Sequence, residues 1–136
     1  MAGWERADIP VGTVMASINE KVDWPGQENE QLARVKISDV AGEPSVYGVF
    51  MRWDDNDGPN PTNDMHVASL GAYLIRVRPD TLLAPGVLLE SAGDGTARPQ
   101  ADDVLRSRTV AKVTAAIPVH KYPDGSFTIP CTLHCG

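Results

Sequence analysis

The sequence has little of several things, and each shortage excludes a class of protein. No apolar run reaches the roughly 18–20 residues that a membrane-spanning helix needs, so no membrane partner is expected. Lys and Arg together number 12 against 18 Asp and Glu, a net charge of −6. A general nucleic-acid binder neutralises phosphates with an excess of basic side chains, so none is expected here. The opening MAGWERADIPVG carries Glu5 and Asp8 and no long apolar core, and does not read as a secretory signal. Asn60-Pro61-Thr62 has proline in the middle and is no glycosylation acceptor. There are only two cysteines, Cys131 and Cys135. On one straight strand they would lie about 13 Å apart at ~3.3 Å per residue. A disulfide needs Cα atoms within roughly 7 Å. The pair therefore fits a reducing compartment better than a stapled secreted domain.

Long helices are also missing. Eleven prolines and 12 glycines punctuate the chain, and one short helix is expected, around residues 27–32. Everything else reads in period two. Ala33, Val35 and Ile37 alternate with Arg34 and Lys36. The run 46–51 is continuously β-rich. Tyr73, Ile75 and Val77 form one face beside Arg76 and Arg78. Val87-Leu88-Leu89 is bounded by glycines, and Val110 and Val113 lead towards Ile117 and Val119. Phe127, Ile129, Cys131 and Leu133 alternate with more polar residues. Tyr122-Pro123-Asp124-Gly125-Ser126 and Ala92-Gly93-Asp94-Gly95 carry turn chemistry. The expectation is an all-β fold, a compact sandwich or barrel of about eight to ten short antiparallel strands. Residues 1–10 read as an N-terminal extension and 11–136 as a single β domain.

Candidate chemistry is thin. The acidic loop 54–64 is the best cation candidate, through Asp55, Asp57 and Asp64. With Gly58 at the sixth position of a calcium loop, however, Trp53 falls where the first carboxylate belongs. Solvated turn residues explain the loop equally well. Gly93-Asp94-Gly95 lacks the Lys and Ser/Thr of a phosphate loop and reads as a hairpin bend. Asp102 and Asp103 would then cap a second bend. Cys131-Thr-Leu-His134-Cys135 offers only one cysteine spacing for zinc. On a strand, His134 faces away from both thiols. The cysteines read as small hydrophobes. There is no G-x-S-x-G elbow and no H-E-x-x-H, and His66, His120 and His134 are scattered. No cofactor, metal or enzymatic activity is expected. Trp4, Trp24 and Trp53 sit beside Gly, Pro or Asp, where large aromatics either anchor interfaces or roof a small core.

Several long strings are similar to structural proteins of tailed bacteriophages. They are VMASINEKV (14–22), WPGQENEQLA (24–33), VYGVFMRWDD (46–55), GVLLESAGDGTARPQADDVLRS (86–107) with TVAKV (109–113), and YPDGS (122–126) followed by Ile129-Pro130-Cys131. Together they cover nearly all of the chain from about residue 10. The chain most resembles the β-rich C-terminal module of phage tail fibres, tailspikes and related appendages. A looser similarity runs to capsid decoration proteins. The resemblance implies a non-enzymatic virion component made in the host bacterial cytoplasm. It implies a homo-oligomer, a trimer, in contact with other virion proteins. Trp24, Tyr47, Phe50 and Trp53 are the residues expected at such contacts. Three alternatives follow from the same resemblance. One is a cement protein on the head, favoured by the short segment before the module where a fibre would carry a long shaft. Another is a trimerisation chaperone that cuts itself free, with Ser17 and Asn19 nearest the junction by position. The third is a head that touches host surface glycan through the stretch 53–64.

Overall fold

The computed structural model describes residues 9–23, 31–53 and 65–135. Nine strands are present among the described residues: β1 Val14–Asp23, β2 Gln31–Ile37, β3 Val46–Trp53, β4 Met65–Ala68, β5 Leu70–Val77, β6 Leu88–Ser91, β7 Ala97–Pro99, β8 Thr109–Val113 and β9 Phe127–His134. No helix occurs among the described residues. The fold is all-β, as the alternation predicts. The expected helix is corrected at its end. Gln31 and Leu32 open β2, where they pair with Asp23 and Val22 of β1. Residues 27–30 lie outside the described residues.

The strands form two layers. One is an antiparallel sheet in the order β2-β1-β3-β4, and the other is a small closed barrel in the order β5-β7-β6-β8-β9. The long β5–β9 ladder runs from Leu70↔His134 to Val77↔Phe127. The barrel closes on a single parallel rung, Val77↔Ala97. Hairpin β6–β7 turns where the Gly-Asp-Gly signal predicts, with Ser91 opposite Ala97. The Pro-Asp-Gly turn also forms: the Tyr122 N–H donates to Ser126 O at 2.9 Å, and the Gly125 N–H donates to Tyr122 O at 2.9 Å. The expected strand continuation to Ile117 and Val119 does not form. Strand β8 stops at Val113, and both side chains are exposed.

The main core fills the barrel and the inner face of the sheet. Ile75, Val77, Leu89 and Ile129 are wholly buried there, with Val14 and Val49 reaching in from the sheet. Each such side chain contributes about 1.5–3 kcal/mol through burial. A second, smaller cluster lies on the other face of the sheet. Met15, Phe50 and Ile9 are buried in it, and Val35, Ile37, Trp53, Met65 and Val67 pack against them. A bulge in β3 makes this face. The register against β4 slips between Phe50↔Val67 and Arg52↔His66. The extra residue brings Phe50 and Trp53, three apart in sequence, onto one side.

Residues 12–14 stitch the layers together. The Gly12 N–H donates to Phe50 O at 2.8 Å, and the Arg76 N–H donates to Gly12 O at 2.8 Å. The Phe50 N–H donates to Thr13 O and the Val14 N–H to Gly95 O, both at 2.8 Å. Gly12 has φ +87°, and a Cβ there would stand 2.8 Å from the backbone nitrogen of Arg76. Only glycine lets the chain pass so close to β5.

Candidate interaction surface

The buried charges are occupied by the fold itself. Arg76 is 8% exposed although it sits on a strand, in a position that reads as outward-facing. Its Nε donates to Ser126 Oγ at 2.8 Å, its Nη2 pairs with Asp124, and its guanidinium carbon lies 5.7 Å from the centre of the Tyr122 ring. This ties β5 to the turn that precedes β9. Hydrogen bonds from the Ser126 side chain and backbone, with the nearby Arg76 charge, hold the Asp124 carboxyl below its ordinary range. Burial pushes the Tyr122 phenol up.

Glu90 is buried on β6 between two arginines. Arg98 Nε donates to its Oε2 at 2.9 Å, and Arg108 Nε donates to its Oε1 at 3.0 Å. Glu43 is equally buried. It accepts from Ser38 Oγ at 2.6 Å and from Ser45 Oγ at 3.2 Å, with Lys36 Nζ 3.6 Å away. Ser38 Oγ also meets Ser91 Oγ at 2.6 Å, which joins the sheet to the barrel. Gln100 and Arg106 both donate to Asp102, and the hydrogen bond from Gln100, then that from Arg106, keeps its carboxyl low. The Gly-Asp-Gly turn is likewise committed. Asp94 Oδ1 accepts from the Thr96 N–H at 3.1 Å, and the Gly95 N–H donates to Ser38 O at 2.9 Å. Its donors serve the turn and the sheet contact, so the stretch is a bend.

The cysteines behave as core atoms. Cys131 is 1% exposed, and burial pushes its thiol up to about 12. Burial likewise raises the Cys135 thiol, to about 11. Both are free thiols. His134 points outwards, 3.4 Å from Thr132 Oγ1. Ser17 donates to Ser45 O at 3.4 Å, and Asn19 has φ 62° where β1 slips register against β2. Asn tolerates that conformation better than most residues.

The residues expected at contacts are placed unevenly. Phe50 is 3% exposed, and its ring meets Trp53 edge-on at 5.6 Å and 64°. The bulge turns its ring into the second cluster with Trp53. Tyr47 and Trp53 are half-buried. Trp24, Asp55, Asp57 and Asp64, with most of the stretch 53–64, lie outside the described residues.

An apolar groove of about 450 Å³ lies between sheet and barrel. Val49, Phe50 and Met51 form one wall, Ala72, Tyr73 and Leu74 the other, with Pro130 and Cys131 between them. The Arg52 side chain at its rim has no hydrogen-bond or ion-pair partner among the described residues. Sequence reasoning missed the groove, although the uncharged run Ser69–Ile75 marks one side of it. Other apolar side chains stand out in water on loops, Leu82 at 94% and Ile117 at 66% exposure. Comparison of the chain with protein-family models, curated proteins and solved structures gives no match.

Proposed function

We propose that the chain is a non-enzymatic structural module of a tailed-phage particle, which assembles with copies of itself and with other virion proteins. The observation that carries the contact part of this reading is the groove. It is a concave apolar surface at the junction of the two layers, and the charges buried near that junction are already paired within the chain. Such a surface suits protein contact, where apolar burial supplies the driving force and spent charges add none. The virion part rests on the resemblance of long strings of the sequence to phage structural proteins.

Localisation tests it. Particles purified from the phage that encodes this chain should contain its peptides by mass spectrometry and its density by electron cryomicroscopy. Density on the tail would make it an appendage module. Density spread over the capsid lattice would make it a cement protein. A chain found only in assembly intermediates would be a chaperone that leaves. A chain absent from both particles and intermediates would overturn the proposal.

A further inference from the structure

The groove has a wall with unused hydrogen-bonding capacity. In the β5–β9 ladder Leu74 stands opposite Pro130. Proline has no N–H to donate, so this is a non-hydrogen-bonded pair, and parity then fixes the others. Gly71, Tyr73 and Ile75 bond to β9, while Leu70, Ala72, Leu74 and Arg76 aim their N–H and C=O away from it. Arg76 confirms the parity, because its outward N–H reaches Gly12 O. Among the described residues Leu70, Ala72 and Leu74 have no partner on that side. Leu70, Ala72 and Tyr73 are exposed.

An open edge of this kind is a template for another strand, and proteins usually guard it with Lys, Pro or a charge. Ser69–Ile75 reads SLGAYLI and carries none of these. We infer that the open edge of β5 pairs antiparallel with the same edge of a second copy, about a two-fold axis centred on Ala72. This rests on the self-assembling reading above and assigns its surface. The segment is complementary to itself. Ala72 meets the second copy's Ala72, and Leu70 meets the second copy's Leu74, each pair exchanging both of its bonds. Gly71 meets the second copy's Tyr73. Within one chain the Tyr73 ring already covers Gly71, with Cε2 3.0 Å from where a Cβ would stand. Charge favours this edge too. Copies of a chain with net charge −6 repel each other generally, and an uncharged segment is where they can meet. The contact is two-fold, unlike the three-fold that the family resemblance implies.

Light scattering coupled to size exclusion tests it on the full chain. The expected mass is twice 14.6 kDa. Ala72→Lys and Ala72→Glu each place like charges across the axis and should weaken self-association at least about tenfold. An equimolar mixture of the two should return the dimer. Amide exchange gives a second reading that needs no variant. The Leu70, Ala72 and Leu74 amides should slow at least about tenfold between dilute and concentrated protein, as paired edge amides do. A wild-type mass of one or three chains would overturn the inference. So would a dimer indifferent to both charges, or edge amides that exchange alike at both concentrations. The virion proposal fails separately: a dimer in solution with no place in particle assembly sinks that reading alone.

Discussion

Single residues decide how closely neighbouring strands approach. At Gly48 a Cβ would overlap the carbonyl oxygen of Ala68 on the neighbouring strand, and the carbonyl carbon would stand at 2.7 Å. The obstacle is backbone, which cannot rotate away. Gly48→Ala should therefore destabilise by about 2 kcal/mol or more, read as a fall in the urea midpoint with unchanged slope. Gly86 is the control, since nothing lies within 4 Å of its Cβ position. Its φ of +96° makes Gly86→Ala cost only the backbone conformation, about 1–2 kcal/mol. Arg76 shows where residue-level reading fails. A charged side chain on an alternating strand is normally given to solvent, yet here it is buried. Its partners Ser126 and Asp124 arrive from a turn about fifty residues later, and nothing local announces them.

At the scale of elements, most strands were legible because period two survives wherever one face is buried. Strands β2, β5 and β9 follow from alternation, β3 and β6 from continuous β-rich runs, and both turns from Gly, Pro and Asp. The bulge in β3 was not legible. Strict alternation separates Phe50 from Trp53, and the inserted residue reunites them. The open edge of β5 was hidden because strand neighbours are a long-range property, though the missing charges in 69–75 were its trace. One buried ion pair could have been found. Once the Gly-Asp-Gly turn sets Ser91 opposite Ala97, Glu90 falls opposite Arg98. Removing one partner of that cluster leaves a buried charge short of a donor. Arg98→Met should cost about 2–3 kcal/mol. The double change Arg98→Met with Glu90→Gln should recover part of that loss, measured as a double-mutant cycle of urea midpoints.

For the whole molecule, the carboxylates of Asp39, Asp102 and Asp124 share a direction. Lys36 holds the first low through a hydrogen bond and its charge, Gln100 and Arg106 the second, and Ser126 with Arg76 the third. A carboxyl lowered by folding binds its proton less readily in the native state. The stability it adds is present above the unfolded value, near about 3.9, and disappears as pH falls through the native value. The urea midpoint should hold level from pH 7 to pH 5 and then drop below about pH 4. Asp124→Asn should make that acid limb shallower. An acid limb as steep as in the wild type would show that Asp124 takes no share.

The stitch at Gly12 also sets an order in time. Ribosomes add roughly 5–20 residues per second. Gly12 therefore leaves the ribosome several seconds before Arg76, the strand residue whose N–H it accepts. Gly12 and Thr13 reach Phe50 early, but Val14 must wait for Gly95, and Arg76 for Ser126. Every described strand of the first sheet is synthesised before any strand of the barrel that covers Val14 and Val49, so the two valines have no barrel cover until the later strands emerge. In a cell crowded with newborn copies, that is when a chaperone or a neighbouring nascent chain would find this protein most receptive.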